Sequence, residues 1–313
     1  MWYSALCEFP VLAIAAIGFY ISLRFLRFPD LTVDASFMLG MSAVGMMLRG
    51  GSSNELPGFV VAPILGAIAG AVTGFLYTSK HLTINKFLSG MLVAFAAYSV
   101  CFRMCGRADL SLFEYRHNII LYRIFAPLPL YAEPLGLLVL VALAWVVAHR
   151  LMNTPFGLAL RTAGHQPDVL EVSGINSKLY IVLGLAFSNG IIACAGALDA
   201  VSNRNVSLRN FGMVVNVLAA CLIGDFLRRV VSELVGFSRK SQTPSTTAIL
   251  FSPLVGALAY CLIKSLVIRI LSGQLTITIT TDLQFVVALS IVLSILAAKR
   301  LRSPAESRGE EGM

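Results

Sequence analysis

Apolar blocks of about twenty residues alternate along this chain with short polar punctuation, and the blocks are continuous rather than striped. Crossing about 30 Å of hydrocarbon takes roughly 20 helical residues. By that measure the pattern predicts about nine spans, at 4–26, 31–48, 58–79, 84–105, 132–149, 178–200, 211–230, 249–271 and 282–298. The second is short, opens on PDLTVD and contains Gly40 and Gly45, which makes it a candidate broken helix. Segments 106–131 and 230–248 are mixed in polarity and read as loops. The predicted fold class is all-α, a polytopic transmembrane helical bundle over residues 1–300, with a polar tail at 301–313 (LRSPAESRGEEGM). The first apolar stretch has no basic segment before it and carries Glu8, so it reads as a retained span rather than a secretory signal.

Composition agrees with lipid as the main solvent. The 313 residues are 57% hydrophobic and 13% charged, with a mean hydropathy of +0.81, whereas a soluble domain has about a quarter of its residues charged. The net charge of +8 does not point to nucleic acid, because the Lys and Arg stand in ones and twos between apolar blocks instead of forming a stripe. They do orient the chain. An outside N-terminus puts fifteen of the 24 Lys and Arg on the inner side. It leaves seven on the outer side, namely Arg49, Arg103, Arg107, Arg116, Arg123, Arg204 and Arg209. That bias favours the N-terminus outside and the C-terminus inside.

The chain carries no catalytic constellation. It has no Gly-Lys pair and hence no phosphate-binding G-x-x-x-x-G-K-[ST] loop, and its four His, at 81, 117, 149 and 165, are scattered. Gly224-Asp225 and Ser89-Gly90 are half-motifs of intramembrane proteases, contradicted by Leu222 and Phe87. The six Cys fall mostly inside apolar blocks, where they behave as small hydrophobes. Cys101 and Cys105 share a helix face, but no second pair or His accompanies them to bind a metal. Neither a metal site nor a cofactor is expected.

Two features carry information. The first is the predicted inner loop 149–178. Thr154 suits an N-cap, Pro155 the first helical position and Gly164 a C′ stop; Pro167 then opens a second short helix that Gly174 can end. Two such helices are too short to cross a membrane. They either cover the bundle end as a lid or dock a soluble subunit, with Leu158 and Arg161 exposed one turn apart. The second feature is polarity at membrane depth, which is costly unless it faces protein or water. Asp30 and Asp34 flank the start of the second span, Ser188 and Asn189 sit mid-span, and Asn216 and Asp225 occupy the seventh. Small residues here also suit tight helix packing. Asp34 and Asn189 are the stronger candidates for a polar pathway, and Ser188 fits packing equally well.

Three segments resemble permeases of bacterial ATP-binding-cassette (ABC) importers of the branched-chain amino acid and ribose type, in particular the branch associated with tryptophan or tyrosine import. They are LRFLRFPDLTVDASFMLG from Leu23 to Gly40, LTINKFLSGMLVAFAAYSVCFRMCGR from Leu82 to Arg107, and TPFGLALRTAG…VSGIN…LGLAFSNGIIACAGAL from Thr154 to Leu198. The resemblance implies a permease subunit for a small polar solute, such as an amino acid or a related compound. It also implies two cytoplasmic ABC ATPase subunits, an external solute-binding protein and a second permease copy, identical or a close paralogue, in the bacterial inner membrane. It makes 154–174 the ATPase-coupling segment, through Thr154, Pro155, Gly157, Leu158, Arg161, Gly164 and Gly174. It places the substrate path near Asp34 and Asn85, beside Asp30, Ser188 and Asn189. The sequence departs from the pattern in a longer, more basic connection at 228–247, and in Ala35 and Lys86 where glycine is usual. The competing classes are an ion-coupled secondary transporter, which would need inverted halves with paired broken helices, and a membrane-embedded lipid enzyme, which would need clustered acids or His. Neither pattern is present.

Overall fold

The computed structural model describes residues 2–79, 84–125, 132–208, 212–234 and 246–271. The expected ninth span at 282–298, the tail at 301–313 and most of the 228–247 connection lie outside the described residues. Helix α1 (Trp2–Tyr20) ends in a π-helical turn, Ile21–Phe25. It is followed by α2 (Thr32–Arg49), α3 (Leu56–Thr78), α4 (Lys86–Cys105), strand β1 (Asp109–Ser111), α5 (Ile120–Phe125) and α6 (Ala132–Met152). Then come α7 (Pro155–His165), α8 (Pro167–Val172), α9 (Ser177–Asn203), strand β2 (Asn205–Ser207), α10 (Met213–Leu234) and α11 (Thr246–Leu271). Among the described residues, six helical segments are long and apolar enough to cross a membrane: Ala5–Phe25, Leu56–Thr78, Lys86–Cys105, Pro134–Met152, Ser177–Asn203 and Ile249–Leu266. The all-α bundle is as predicted, and the count of nine spans is not established.

The bundle is organised around α2 and α9. Helix α9 packs against α1, α2, α3 and α7, while α2 packs against α3, α4 and α9. Fifteen of the eighteen residues of α2 are buried, so this helix meets protein on all sides and can carry polar residues that a lipid-facing helix could not. Small residues allow the close approach. A Cβ at Gly40 of α2 would run into the Ala193 carbonyl of α9, and a Cβ at Gly70 of α3 into the Leu185 carbonyl. Backbones meeting at this range are the usual packing mode of membrane helices.

The second span is not a broken helix, which corrects the sequence-based expectation. Helix α2 runs unbroken through Gly40 and Gly45, because both glycines are used for contact with α9 and β2 rather than for a bend. The irregular backbone lies before it, in residues 26–31, where Arg27 has φ +50°. Lys86 fixes that connection. Its ammonium donates to the Arg27 carbonyl at 3.1 Å and lies over the rings of Phe28 and Tyr77. A glycine here could do neither.

Two three-residue strands were not predicted, since so short a segment has no periodicity to detect. They pair antiparallel with Asp109 opposite Ser207, and tie the chain leaving α4 to the chain leaving α9. Leu110 and Val206 turn inward onto Gly45 of α2. The α7–α8 pair lies at the opposite end of α9, against the Phe25 end of α1.

Candidate functional site

The first site is a polar junction inside the bundle, built on the N-terminal turn of α2. The Asp30 carboxylate accepts the Thr32 N–H at 2.8 Å through one oxygen and the Asn189 amide N–H at 2.6 Å through the other. The same Asn189 nitrogen donates to the Leu185 carbonyl at 3.0 Å, and its amide oxygen accepts the Ser36 hydroxyl at 2.6 Å. The Thr32 hydroxyl meets the Thr73 hydroxyl of α3 at 2.8 Å, and Thr73 donates onward to the Ala69 carbonyl. Asp30, Thr32, Ser36, Thr73 and Asn189 have no solvent exposure. In such surroundings each polar atom needs a partner, and this network provides one across α2, α3 and α9.

Asp34 closes the junction on its remaining side. It is 8% exposed and accepts the backbone N–H of Val214 at 2.9 Å and of Gly212 at 3.4 Å. The first N–H groups of a helix have no partner within it, so Asp34 caps α10 from α2. It also lies in the first turn of α2, where negative charge complements the helix dipole. Asp34 thus joins the start of α2 to the start of α10, while Asp30 joins the start of α2 to α9.

The other expected pathway residues are placed elsewhere. The Ser188 hydroxyl donates to the Gly18 carbonyl at 2.8 Å, fastening α9 to α1. Asn85 is exposed at the N-cap of α4, and its side chain makes no capping bond. Thr32, Ser36 and Thr73 were missed by sequence reasoning. The available signal was three hydroxyl residues on otherwise apolar spans, two of them within PDLTVDAS. Asp225 and Asn216 have partners of their own. Asp225 accepts Tyr20 at 2.6 Å and Ser252 at 3.0 Å, with Arg228 at 3.6 Å, and Tyr260 donates to Asn216 at 2.9 Å.

The second site is the α7–α8 pair. The Thr154 hydroxyl accepts the Gly157 N–H at 3.4 Å, Pro155 occupies the first helical position, and Gly174 ends α8 with φ +76°, all as predicted. Gly157 allows α7 to close on the Met152 backbone. Two expectations need correction. Gly164 does not stop α7, which continues to His165; a Cβ there would collide with the Phe25 carbonyl, so this glycine seats α7 on the end of α1. Arg161 does not stand out beside Leu158. Its guanidinium donates to the Met152 carbonyl at 3.3 Å and lies 4.7 Å over the Phe25 ring. Burial lowers its pKa from the ordinary guanidinium value; the group remains a cation. The outward surface is mixed: Leu158 is 66% exposed and Val172 90%, with Val169 and Leu179 also exposed, among exposed Thr154, His165, Gln166, Asp168 and Glu171.

Over residues 2–296 the sequence matches the family described as branched-chain amino acid transport system / permease component. The chain is 29% identical over 302 residues to the tyrosine transport system permease protein of Clostridioides difficile, covering 95% of this chain and 91% of that protein. It is 26% identical over 277 residues to an uncharacterised protein of Rickettsia prowazekii, covering 88% and 92%. Its identity to the galactose/methyl galactoside import permease protein of Salmonella typhimurium is 25% over 172 residues, about half of each chain. No solved structure matches. A bundle of apolar helices with a buried polar centre is the architecture such a subunit needs, and the chain belongs to this family as a multi-pass inner-membrane permease subunit of an ABC importer.

Proposed function

We propose that this permease forms the translocation path for an amino acid or a closely related small polar solute, and that α7–α8 couples it to the ATPase. The observation that carries the coupling is that Leu158, Val169 and Val172 stand exposed on two short helices anchored to the bundle by Gly157, Gly164 and Arg161. The solute class rests on the full-length likeness to a tyrosine transport permease. Asp30, Asp34 and Asn189 form the gate of the path, Asn85 lies at its inner mouth, and Ser188 holds α9 in register beside it. The N-terminus is outside and the C-terminus inside, the subunit has no ATPase site of its own, and it works with a second copy or close paralogue.

The test is co-purification of the ATPase with the permease, and its response to loaded solute-binding protein. Leu158→Asp removes an exposed apolar contact without disturbing the bundle, and contacts of this kind cost about 2 kcal/mol or more when lost. We expect that variant to reach normal membrane levels and lose the ATPase or its stimulation. Normal assembly and transport by Leu158→Asp together with Val172→Asp would leave α7–α8 as a lid and remove the coupling assignment.

A further inference from the structure

The C-terminal end of α1 carries a set of contacts that the proposed path does not use. After Tyr20 the helix widens into the π-helical turn Ile21–Phe25. The widening continues past it, with the Leu26 N–H bonded back to the Ile21 carbonyl at 3.4 Å and the Phe28 N–H to the Ser22 carbonyl at 3.0 Å. The Ser22 hydroxyl donates back to the Phe19 carbonyl at 2.9 Å, and hydroxyls bonded in this way bend helices. π turns likewise bend the axis and recur at functional sites. This turn stands between two attachments. On its far side Phe25 carries α7, with the Arg161 guanidinium 4.7 Å over its ring and its carbonyl where a Cβ on Gly164 would strike. On its near side Tyr20, 1% exposed, donates its hydroxyl to the Asp225 carboxylate of α10 at 2.6 Å. One turn earlier on both helices, the Cys221 thiol faces the Ala16 carbonyl at 3.8 Å. Asp225 also fastens α10 to α11. The oxygen that accepts from Tyr20 accepts the Ser252 hydroxyl at 3.0 Å and lies 3.6 Å from the Arg228 Nε. Around it a Cβ at Gly224 would run into the Ser252 carbonyl, and one at Gly256 into the Ala220 carbonyl. Helices packed this closely form one body. The same body reaches the junction, because the start of α10 is capped by Asp34, about 16 Å of helix away from Asp225.

We propose that Tyr20 and Asp225 are positioning residues for coupling, the fixed point against which the π turn bends when the ATPase displaces α7. The inference rests on the coupling role of α7–α8 proposed above. The load enters at Phe25 and the anchor stands at Tyr20, so the turn between them takes up the displacement instead of letting the whole of α1 swing. The motion then passes into residues 26–31 and the start of α2, while the start of α10 stays with the anchored body. Asp34, which bridges those two helix starts, is where the relative movement arrives. The chemistry of the anchor supports this reading. A carboxylate and a guanidinium within an apolar bundle are costly, and well-packed apolar side chains would hold α1 to α10 at least as firmly. A short bond to a charged acceptor supplies what packing does not, a single directed point of attachment. Coupling requires an element that two sites bias, and the π turn is gripped from both ends.

The test compares two substitutions that each remove one donor from the same Asp225 oxygen. Tyr20→Phe cuts the bond to α1 and keeps the ring, whereas Ser252→Ala cuts a bond inside the α10–α11 body. In the complete permease–ATPase complex in nanodiscs, ATP hydrolysis is followed against the concentration of tyrosine-loaded solute-binding protein, and thermal stability is measured alongside. Both variants are expected to lose similar stability. Tyr20→Phe is expected to lower the stimulated rate about fivefold or more, with basal hydrolysis and the half-stimulating concentration unchanged. Ser252→Ala is expected to keep its stimulation. Asp225→Asn still offers an oxygen to Tyr20 and should retain most of the response. Full stimulation in Tyr20→Phe, an equal loss in Ser252→Ala, or a raised half-stimulating concentration in place of a lowered rate overturns the anchor. Leu158→Asp, run in parallel, separates the two readings. Loss of response in Leu158→Asp with full response in Tyr20→Phe strikes this inference alone, and full response in both removes the coupling assignment as well.

Discussion

Asn189 is the residue on which the central junction depends most, and replacing it with alanine gives a measurable loss. The substitution deletes the N–H that Asp30 accepts at 2.6 Å and the oxygen that Ser36 donates to at 2.6 Å. Both partners are fully buried, so neither can turn to water. An orphaned buried group costs roughly 1–3 kcal/mol, more when it is charged, which gives about 2–6 kcal/mol for the pair of orphans. Even the lower figure is more than a tenfold change in the folded population, at 1.4 kcal/mol per factor of ten. Asn189→Asp keeps the volume and sets a second carboxylate against Asp30, so it should be at least as damaging. The assay is denaturation of the purified permease in detergent, run as a cycle with Ser36→Ala. Removing Ser36 first takes away one of the orphans, so the two losses should fail to add by about 0.5–1.5 kcal/mol. Wild-type stability for Asn189→Ala, or strict additivity with Ser36→Ala, would show that the junction is not a connected network.

Three further outcomes follow from the same contacts. Asp34→Asn keeps an oxygen to accept from Val214 but loses the charge facing the start of α10, so the protein should insert and assemble normally while transport falls; full transport rate would reduce Asp34 to a helix cap. Gly164→Val should destabilise the seat of α7 on Phe25 and weaken ATPase retention, read by co-purification, whereas Gly174→Ala should cost about 1 kcal/mol, because only the left-handed backbone is strained and no atom lies within contact. In a cysteine-depleted background a single cysteine at Ser111 should react with membrane-impermeant reagent from outside and one at Asn153 should not; the opposite pattern reverses the orientation.

What the sequence made legible is what depends on local spacing. Eight of the expected spans correspond to long helices, since blocks of apolar residues at this length have few alternatives. Thr154, Pro155 and Gly174 punctuate α7–α8 as predicted, because capping is decided within four residues. Gly164 and Gly40 were misread for the complementary reason. A glycine that ends or bends a helix and one that admits a neighbouring backbone look alike in one dimension, and only the Phe25 and Ala193 carbonyls tell them apart. Arg161 was read outward from its spacing to Leu158, and the Phe25 ring that draws it inward lies 136 residues earlier in the chain. Asp30, Asp34 and Asn189 were singled out as polar groups at depth, but their partners were invisible. That Asp34 caps α10 depends on a contact 180 residues away.

These long-range contacts share a feature that bears on mechanism. The β1–β2 sheet, the central junction and the α7–α8 seat are each attached to α2 or to the segment leading into it. Gly45 carries the sheet, Asp30 and Asp34 carry the junction, and Phe25 carries α7 through Gly164 and Arg161. Between Phe25 and Thr32 the chain is irregular and held by Lys86, while from Thr32 onward it is a rigid helix of 18 residues. One segment of fewer than thirty residues therefore joins the sheet, the junction and the α7–α8 seat. Coupling needs an element with two arrangements that both sites bias, and 26–31 is the part of that segment outside regular helix, with the Leu26 and Phe28 N–H groups bonded back to Ile21 and Ser22. Lys86 bonds the Arg27 carbonyl in the middle of this segment, so its loss is expected to alter how easily the segment moves. Lys86→Gly should leave the junction and the α7–α8 seat intact, since it contributes to neither, yet change how strongly ATP hydrolysis answers to the binding protein. Unchanged stimulation in that variant would place the moving part elsewhere in the bundle.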